Sequence, residues 1–324
     1  MGRNWGLRLA AAPLIATLLA TAGSAEIPQG PVGELASTNE MVLDTAQDRL
    51  RRMTVDVFVN GRGPFPFAVD TGADRTVISA SLARELGLTA ARSAQLHGVA
   101  GVDLVGTTQL GTLQVGSKRV DGIWAPILPD AALGAAGLLG VDALTDQRVT
   151  MDFVEDRLTV RPGAYREKRD DDTIVITARR RFGQLVLVDA SVDGQRVYAI
   201  IDSGSQRTIG NPALRRLMAR RQGGSPVTTE LVGVTGRSIP ADYGRLPKMK
   251  IGGMTIGDVS IVYSDAHTFK RFGIGNRPAM LIGVDLLRAF ERVSLDFDTK
   301  KVRFDLRSAS GLARLGERDL APKR

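Results

Sequence analysis

The sequence contains no cysteine. That absence rules out a disulfide framework and the lipidated cysteine of a lipoprotein. Aromatic residues are scarce at 5%, and no helix-turn-helix, finger or RNA-binding signature accompanies the formal charge of +8. The basic excess therefore reads as a solvated surface, and no nucleic-acid partner is expected. Only two histidines occur, His97 and His267. Neither stands in a Gly-x-Ser-x-Gly or metal-spaced context, which argues against a serine hydrolase or zinc enzyme, and each reads as a plain surface or turn residue. "GIGN" (273 to 276) lacks the third glycine of a dinucleotide fingerprint, and "GTLQVGSK" (111 to 118) misplaces the lysine of a phosphate loop. "RDDD" (169 to 172) reads as a solvated linker in preference to a calcium loop. No metal and no cofactor are expected.

The N-terminal apolar run, Leu9 to about Ala20, falls short of the roughly 20 residues that span a bilayer. Arg3 and Arg8 flank it on one side and small residues ending at Ala25 on the other. That order predicts an export signal over residues 1 to 25, cleaved near Ala25, with an uncleaved anchor as the alternative. The expectation is a periplasmic or secreted protein with no stable membrane insertion after cleavage.

What the chain does contain is ordinary in bulk and unusual in arrangement. With 324 residues, 43% apolar and 24% charged, it has the length and composition of a soluble protein of two lobes. "FAVDTGADRTVIS" (67 to 79) recurs as "AIIDSGSQRTIGN" (199 to 211), placing Asp202 132 positions after Asp70. Upstream of each lies a strand, an Asn-Gly or Asp-Gly turn and a second strand, a strong hairpin signal. Downstream, "GVAG" (98 to 101) matches "GVTG" (233 to 236), "LLGVDAL" (138 to 144) matches "LIGVDLL" (281 to 287), and "MDFVEDRLTV" (151 to 160) matches "LDFDTKKVRF" (295 to 304). The offset climbs from 132 to 144 without reversing, as one doubled unit with later loop insertions would give. Between landmarks the text is short alternating strands, with short helices predicted at 81 to 86, at 212 to 221 and after each Gly-Val-Asp.

A lone Asp-Thr-Gly is a turn. Two of them, brought face to face by a twofold pairing, give carboxylates that cannot both ionise comfortably and so share one proton. With its two Asp-Thr/Ser-Gly loops, glycine-bearing turns and paired apolar-apolar-Gly segments, the chain resembles the retropepsin-like aspartic peptidases over about residues 50 to 305, in an exported bacterial form with two fused retroviral-protease-like units. The resemblance implies an all-β fold of two similar barrel lobes related by a pseudo-twofold, with short helices and a cleft between them. It implies an aspartic endopeptidase in which Asp70 and Asp202 activate a water; the alternative is a catalytically silent peptide-binding protein using the same cleft.

By the same resemblance, Thr71, Gly72 and Ala73 with Ser203, Gly204 and Ser205 would support the active-site loops. Leu138, Leu139 and Gly140 with Leu281, Ile282 and Gly283 would pack them from below, a role that ordinary core strands also fit. Gly98, Val99, Ala100 and Gly101 with Gly233, Val234, Thr235 and Gly236 would form flap tips, with plain hairpin turns as the alternative; "GVAG" carries no tyrosine, so a pepsin-style flap tyrosine is missing. The hydroxyl of Ser205 is expected to hydrogen-bond the adjacent carboxylate and make Asp202 the more readily ionised. Expected boundaries are a spacer or propeptide-like segment at 26 to 50, lobes at 51 to 165 and 173 to 306, a charged linker at 166 to 172, and a disordered basic tail at 307 to 324. The partner would be a protein or peptide substrate from the exported or envelope pool, and a monomer should suffice.

Overall fold

In a computed structural model of the chain, the described residues are 41–44, 46–48, 52–162, 173–181, 184–187, 190–219 and 227–306. The signal segment, the charged linker and the basic tail lie outside them. The strand Met53–Val59 shows how the alternating text becomes structure: Val55, Val57 and Val59 are buried while Asp56 and Phe58 face outward, the period of two that a half-buried strand requires. It turns at Asn60 and Gly61, which hold φ of 53° and 74°, into the strand Arg62–Val69. Positive φ at both positions is what a tight hairpin demands and what Asn-Gly supplies at least cost. Asp193 and Gly194 repeat the device at 52° and 79° in the second half.

Each half then builds the same four-strand crossing. Arg62–Val69, which leads into Asp70, pairs in parallel with Gly137–Leu139; that strand runs antiparallel to Val77–Ser79, which pairs in parallel with Lys118–Leu128. In the second half Tyr198–Ile201, leading into Asp202, pairs with Ala279–Ile282, then Ile209–Gly210, then Met254–Tyr263, with the same directions. The helices predicted after each Gly-Val-Asp are present as Val141–Leu144 and Val284–Leu287, and the helix start at Asn211 is present with Pro212–Ala219 behind it. The helices Asp130–Leu133 and His267–Arg271 were not legible as such.

The halves are joined by hydrogen bonds. Gln147–Asp152 runs antiparallel to Arg292–Asp296, with Thr150 opposite Ser294. Those two residues are also each other's repeat equivalents, 144 positions apart, so the pseudo-twofold axis passes through their pair. Arg148 meets Asp296 at 2.9 Å on one side, and Arg292 approaches Asp152 at 3.4 Å on the other. One apolar core runs through both halves, from Val55 and Phe67 to Phe290 and Phe304. Burying each such side chain stabilises by about 1.5–3 kcal/mol.

One boundary needs correction. Residues 41–44 and 46–47 do not stand apart as a spacer: Met41–Asp44 pairs with Arg157–Pro162, and Ala46–Gln47 pairs with Met53–Val59. The first half thus begins at least ten residues before the expected position 51, because an otherwise open strand edge gains main-chain partners.

Candidate active site

The two Asp-Thr/Ser-Gly loops leave the ends of equivalent strands and interlock. Thr71 N–H donates to Ser203 Oγ at 3.0 Å, and Ser203 N–H donates to Thr71 Oγ1 at 3.1 Å. Each hydroxyl in turn donates to the opposite strand, Ser203 Oγ to Val69 O at 2.8 Å and Thr71 Oγ1 to Ile201 O at 3.3 Å. The four bonds give each buried hydroxyl one donation and one acceptance across the two loops, so the separation of the loops is fixed.

Gly72 and Gly204 complete the approach. A Cβ built on Gly72 would lie 2.3 Å from Asp202 Oδ1, and one on Gly204 would lie 2.2 Å from Asp70 Cγ. Each carboxylate therefore rests against the bare Cα of the opposite loop, a fit only glycine permits. Within its own loop, Asp70 Oδ1 accepts from Gly72 N–H at 2.9 Å; Asp202 Oδ1 accepts from Gly204 and Ser205 N–H, both at 3.1 Å.

The apolar-apolar-Gly segments are hydrogen-bonded to the loops. Asp70 N–H donates to Leu139 O and Asp202 N–H to Ile282 O, both at 3.0 Å, while Val141 and Val284 N–H reach Ala73 and Ser205 carbonyls at 2.9 Å. Sequence reasoning missed the locks behind them. Thr76 donates through N–H and Oγ1 to Asp142 at 2.9 and 2.7 Å, and Thr208 does the same to Asp285 at 3.0 and 2.7 Å. The threonines then accept from Gly140 and Gly283 N–H. The Arg-Thr and Gly-Val-Asp echoes were visible as repeat landmarks, and the doubling of all four residues was the signal that could have exposed this bond.

Burial raises the pKa of both aspartates. For Asp70 the next influence is Arg52, whose charge opposes the rise. Asp202 is pushed up to about 7, by burial first and then by the charge of Asp70. The premise of the expectation that Asp202 ionises more readily fails, since Ser205 Oγ donates to Arg207 O at 2.8 Å instead of to the carboxylate.

The flap candidates are hairpin tips that meet each other. Gly98 pairs with Gly101 around Val99 and Ala100, and Gly233 N–H closes the second tip on Arg237 O at 2.8 Å. A Cβ on Gly233 would touch Ala100 Cβ at 3.3 Å and Val99 Cγ2 at 3.4 Å. Thr235 Oγ1 donates to Asp103 at 2.8 Å, and Arg237 pairs with the same carboxylate at 2.9 Å.

The histidines are not isolated surface residues. They stack with ring centroids 5.3 Å apart, and His97 Nδ1 lies 3.0 Å from His267 Nε2, while His267 N–H donates to Val99 O. Partial desolvation, then Arg271 and His267, hold His97 below its ordinary 6.5, with Asp74 opposing. His97 is expected to titrate below that value by NMR, and His267→Ala to move it upward; a wild-type midpoint above 6.5 would contradict the pairing. Asp74, unremarked in the sequence, forms a 2.6 Å ion pair with Arg271 of the other half.

Family models match both halves in tandem. Residues 55–146 match the gag-polyprotein aspartyl protease model, and residues 188–286 match a second model described as aspartyl protease, together more than half of the chain. The chain belongs to the retropepsin-like aspartyl proteases. A search of curated protein sequences gives no match. As a two-lobed member of that family it is a peptidase by class, and each matched segment contains one of the two Asp-Thr/Ser-Gly loops.

Proposed function

We propose that this aspartyl protease is an endopeptidase in which Asp70 and Asp202 hold the attacking water between them and hydrolyse peptide bonds in extended segments. The ionised aspartate takes a proton from the water as its oxygen bonds to the scissile carbonyl carbon, and the protonated aspartate passes its proton to the carbonyl oxygen. In the second step the C–N bond breaks. The amine leaves with the proton taken from the water, the gem-diol returns a proton to the other aspartate, and the starting protonation is restored. No acyl-enzyme forms. The single observation that carries this reading is the reciprocal seating of Gly72 on Asp202 and Gly204 on Asp70, which turns both carboxylates toward one twofold axis.

The touching hairpin tips are assigned as flaps that part to admit a strand and close over it, excluding water. Protein segments of the exported or envelope pool are the substrates in this reading, because residues 1 to 25 read as an export signal. One chain supplies both halves of the site, so the active species is a monomer. The test is digestion of a denatured-proteome peptide library by the purified protein from acidic to neutral pH, with pepstatin and Asp70→Asn as controls. Internal cleavages that both controls remove, at constant activity per mole on dilution, are expected. A steep loss on dilution would assign activity to a dimer, and tight capture of peptides without products would overturn the endopeptidase in favour of a silent binder.

A further inference from the structure

The two active-site loops are propped by a pair of side chains that are equivalent in position and unequal in charge, one cationic and one neutral. Arg52 lies 18 residues before Asp70, and Gln184 lies 18 residues before Asp202. Each reaches across the twofold to the glycine carbonyl of the opposite loop: Arg52 Nη1 donates to Gly204 O at 3.3 Å, and Gln184 Nε2 donates to Gly72 O. Both are nearly inaccessible, at 1% and 5% exposure. The Thr71/Ser203 interlock, the Gly72/Gly204 contacts and the Thr76–Asp142 and Thr208–Asp285 locks are matched between halves. The symmetry of charge breaks at this pair and at Asp74, whose repeat equivalent is the neutral Gln206.

Burying a guanidinium costs several kcal/mol unless it is paired. Asp48 supplies the partner, with Oδ2 2.6 Å from Arg52 Nη2 and 2.8 Å from Nε, and its Oδ1 accepts from Arg52 N–H at 2.8 Å. Leu133 O accepts from Nη2 as well. The guanidinium is thus fixed with Nη1 turned to the carbonyl of Gly204, the residue whose Cα rests on the Asp70 carboxylate. The Gln184 amide occupies the corresponding place beside Gly72, which rests on Asp202. A fixed cation beside one member of a coupled acid pair favours the charged form of that member and leaves the shared proton on the other.

We propose that Arg52 is a positioning residue that assigns the roles of the dyad: it holds Asp70 as the carboxylate that deprotonates the water and leaves Asp202 as the acid that protonates the scissile carbonyl. This rests on the proposed hydrolytic reading and deepens it by breaking a tie that the twofold alone leaves open. The other charges facing the pair do not reverse it. Asp74 works against ionisation of Asp70 but is tied to Arg271 at 2.6 Å, and Gln184 also approaches Asp74 Oδ1 at 3.5 Å. Asp48 holds the Nε and Nη2 edge of Arg52, whereas Nη1 is the atom that reaches Gly204. Arg52 is the leading influence that lowers Asp70 and the smallest of those that lower Asp202.

Arg52→Gln makes the first half carry what the second already has, and it tests the assignment. The acid limb of the kcat/KM pH profile is expected to move up by about one unit, and Arg52→Lys is expected to restore it. Carboxyl carbon-13 titration of the folded protein, with both resonances assigned, should give Asp70 the lower midpoint in the wild type and a raised one in Arg52→Gln. Because Arg52→Gln leaves Asp48 buried and unpaired, the double variant Asp48→Asn/Arg52→Gln removes both charges and is expected to show the same upward shift. An acid limb that overlays the wild type while kcat falls evenly at every pH would reduce Arg52 to a strut and overturn the assignment. So would a wild-type Asp202 that ionises first. The titration needs no turnover, so a chain that cleaves nothing would sink the endopeptidase reading without deciding this one.

Discussion

Gly204→Ala, the addition of one methyl group, is expected to abolish peptide cleavage in a protein that still folds. The new Cβ would lie 2.2 Å from Asp70 Cγ and 2.3 Å from each of its oxygens. Relief cannot come from the loop backbone without breaking Gly204 N–H to Asp202 Oδ1 and, next to it, the Ser203 half of the interlock. Asp70 must move instead, away from the axis on which the water would sit. A displacement of about 1 Å at a reacting group can cost about 10²-fold in rate, and overpacking a tight site costs about 1–3 kcal/mol of stability. The loss in kcat is therefore expected to exceed 100-fold, with a lowered but cooperative thermal transition. Gly72→Ala should behave alike, since its Cβ would meet Asp202 Oδ1 at 2.3 Å. Gly253→Ala, where a Cβ would meet nothing within 4 Å, is the control and should leave activity unchanged. Alanine variants at 72 or 204 that cleave at the wild-type rate would refute the close seating of the carboxylates.

Asp70→Asn and Asp202→Asn remove the proton traffic and leave the shape. An amide keeps the acceptor oxygen for the loop N–H bonds but cannot pass a proton, and proton transfer by a positioned group contributes about 10²–10⁴-fold. Each variant alone is expected to lose at least that much in kcat, and the pair should lose little more than either single, because the two acids act as one unit. A second readout separates chemistry from misfolding. Asp202 is raised partly by the charge of Asp70, so in Asp70→Asn the midpoint of Asp202 should fall from about 7 while burial keeps it above the ordinary carboxylate value. Full activity in either single variant, measured on a peptide that pepstatin protects from the wild type, would show that the two aspartates do not form one centre.

The parts of this fold that could be read from the chain are those encoded locally and stated twice. Asn60-Gly61 and Asp193-Gly194 specify their turns by backbone preference alone, and the two Asp-Thr/Ser-Gly loops were located by their echo. The parts that escaped depend on contacts between segments far apart. Arg52 carries no motif, and its meaning comes from Gly204, 152 residues away. His97 and His267 are separated by 170 residues and become a pair only when the halves close. Met41–Asp44 fell within the expected spacer because the strand it pairs with, Arg157–Pro162, is remote in sequence. The bond expected of Ser205 was misread because the residue was judged by its neighbour in sequence, whereas its hydroxyl turns to Arg207 O.

The antiparallel pairing of Gln147–Asp152 with Arg292–Asp296 has a cost during folding. Until residues 292 to 296 are available, Gln147–Asp152 has one unclaimed edge, and its Val149 and Met151 are core residues. Such an edge is a template for intermolecular sheet growth, and long-range pairings of this kind close late. Arg148 and Asp152, which form ion pairs in the finished fold, put charges of both signs on that edge, and charged side chains are a device by which exposed strand edges resist such pairing.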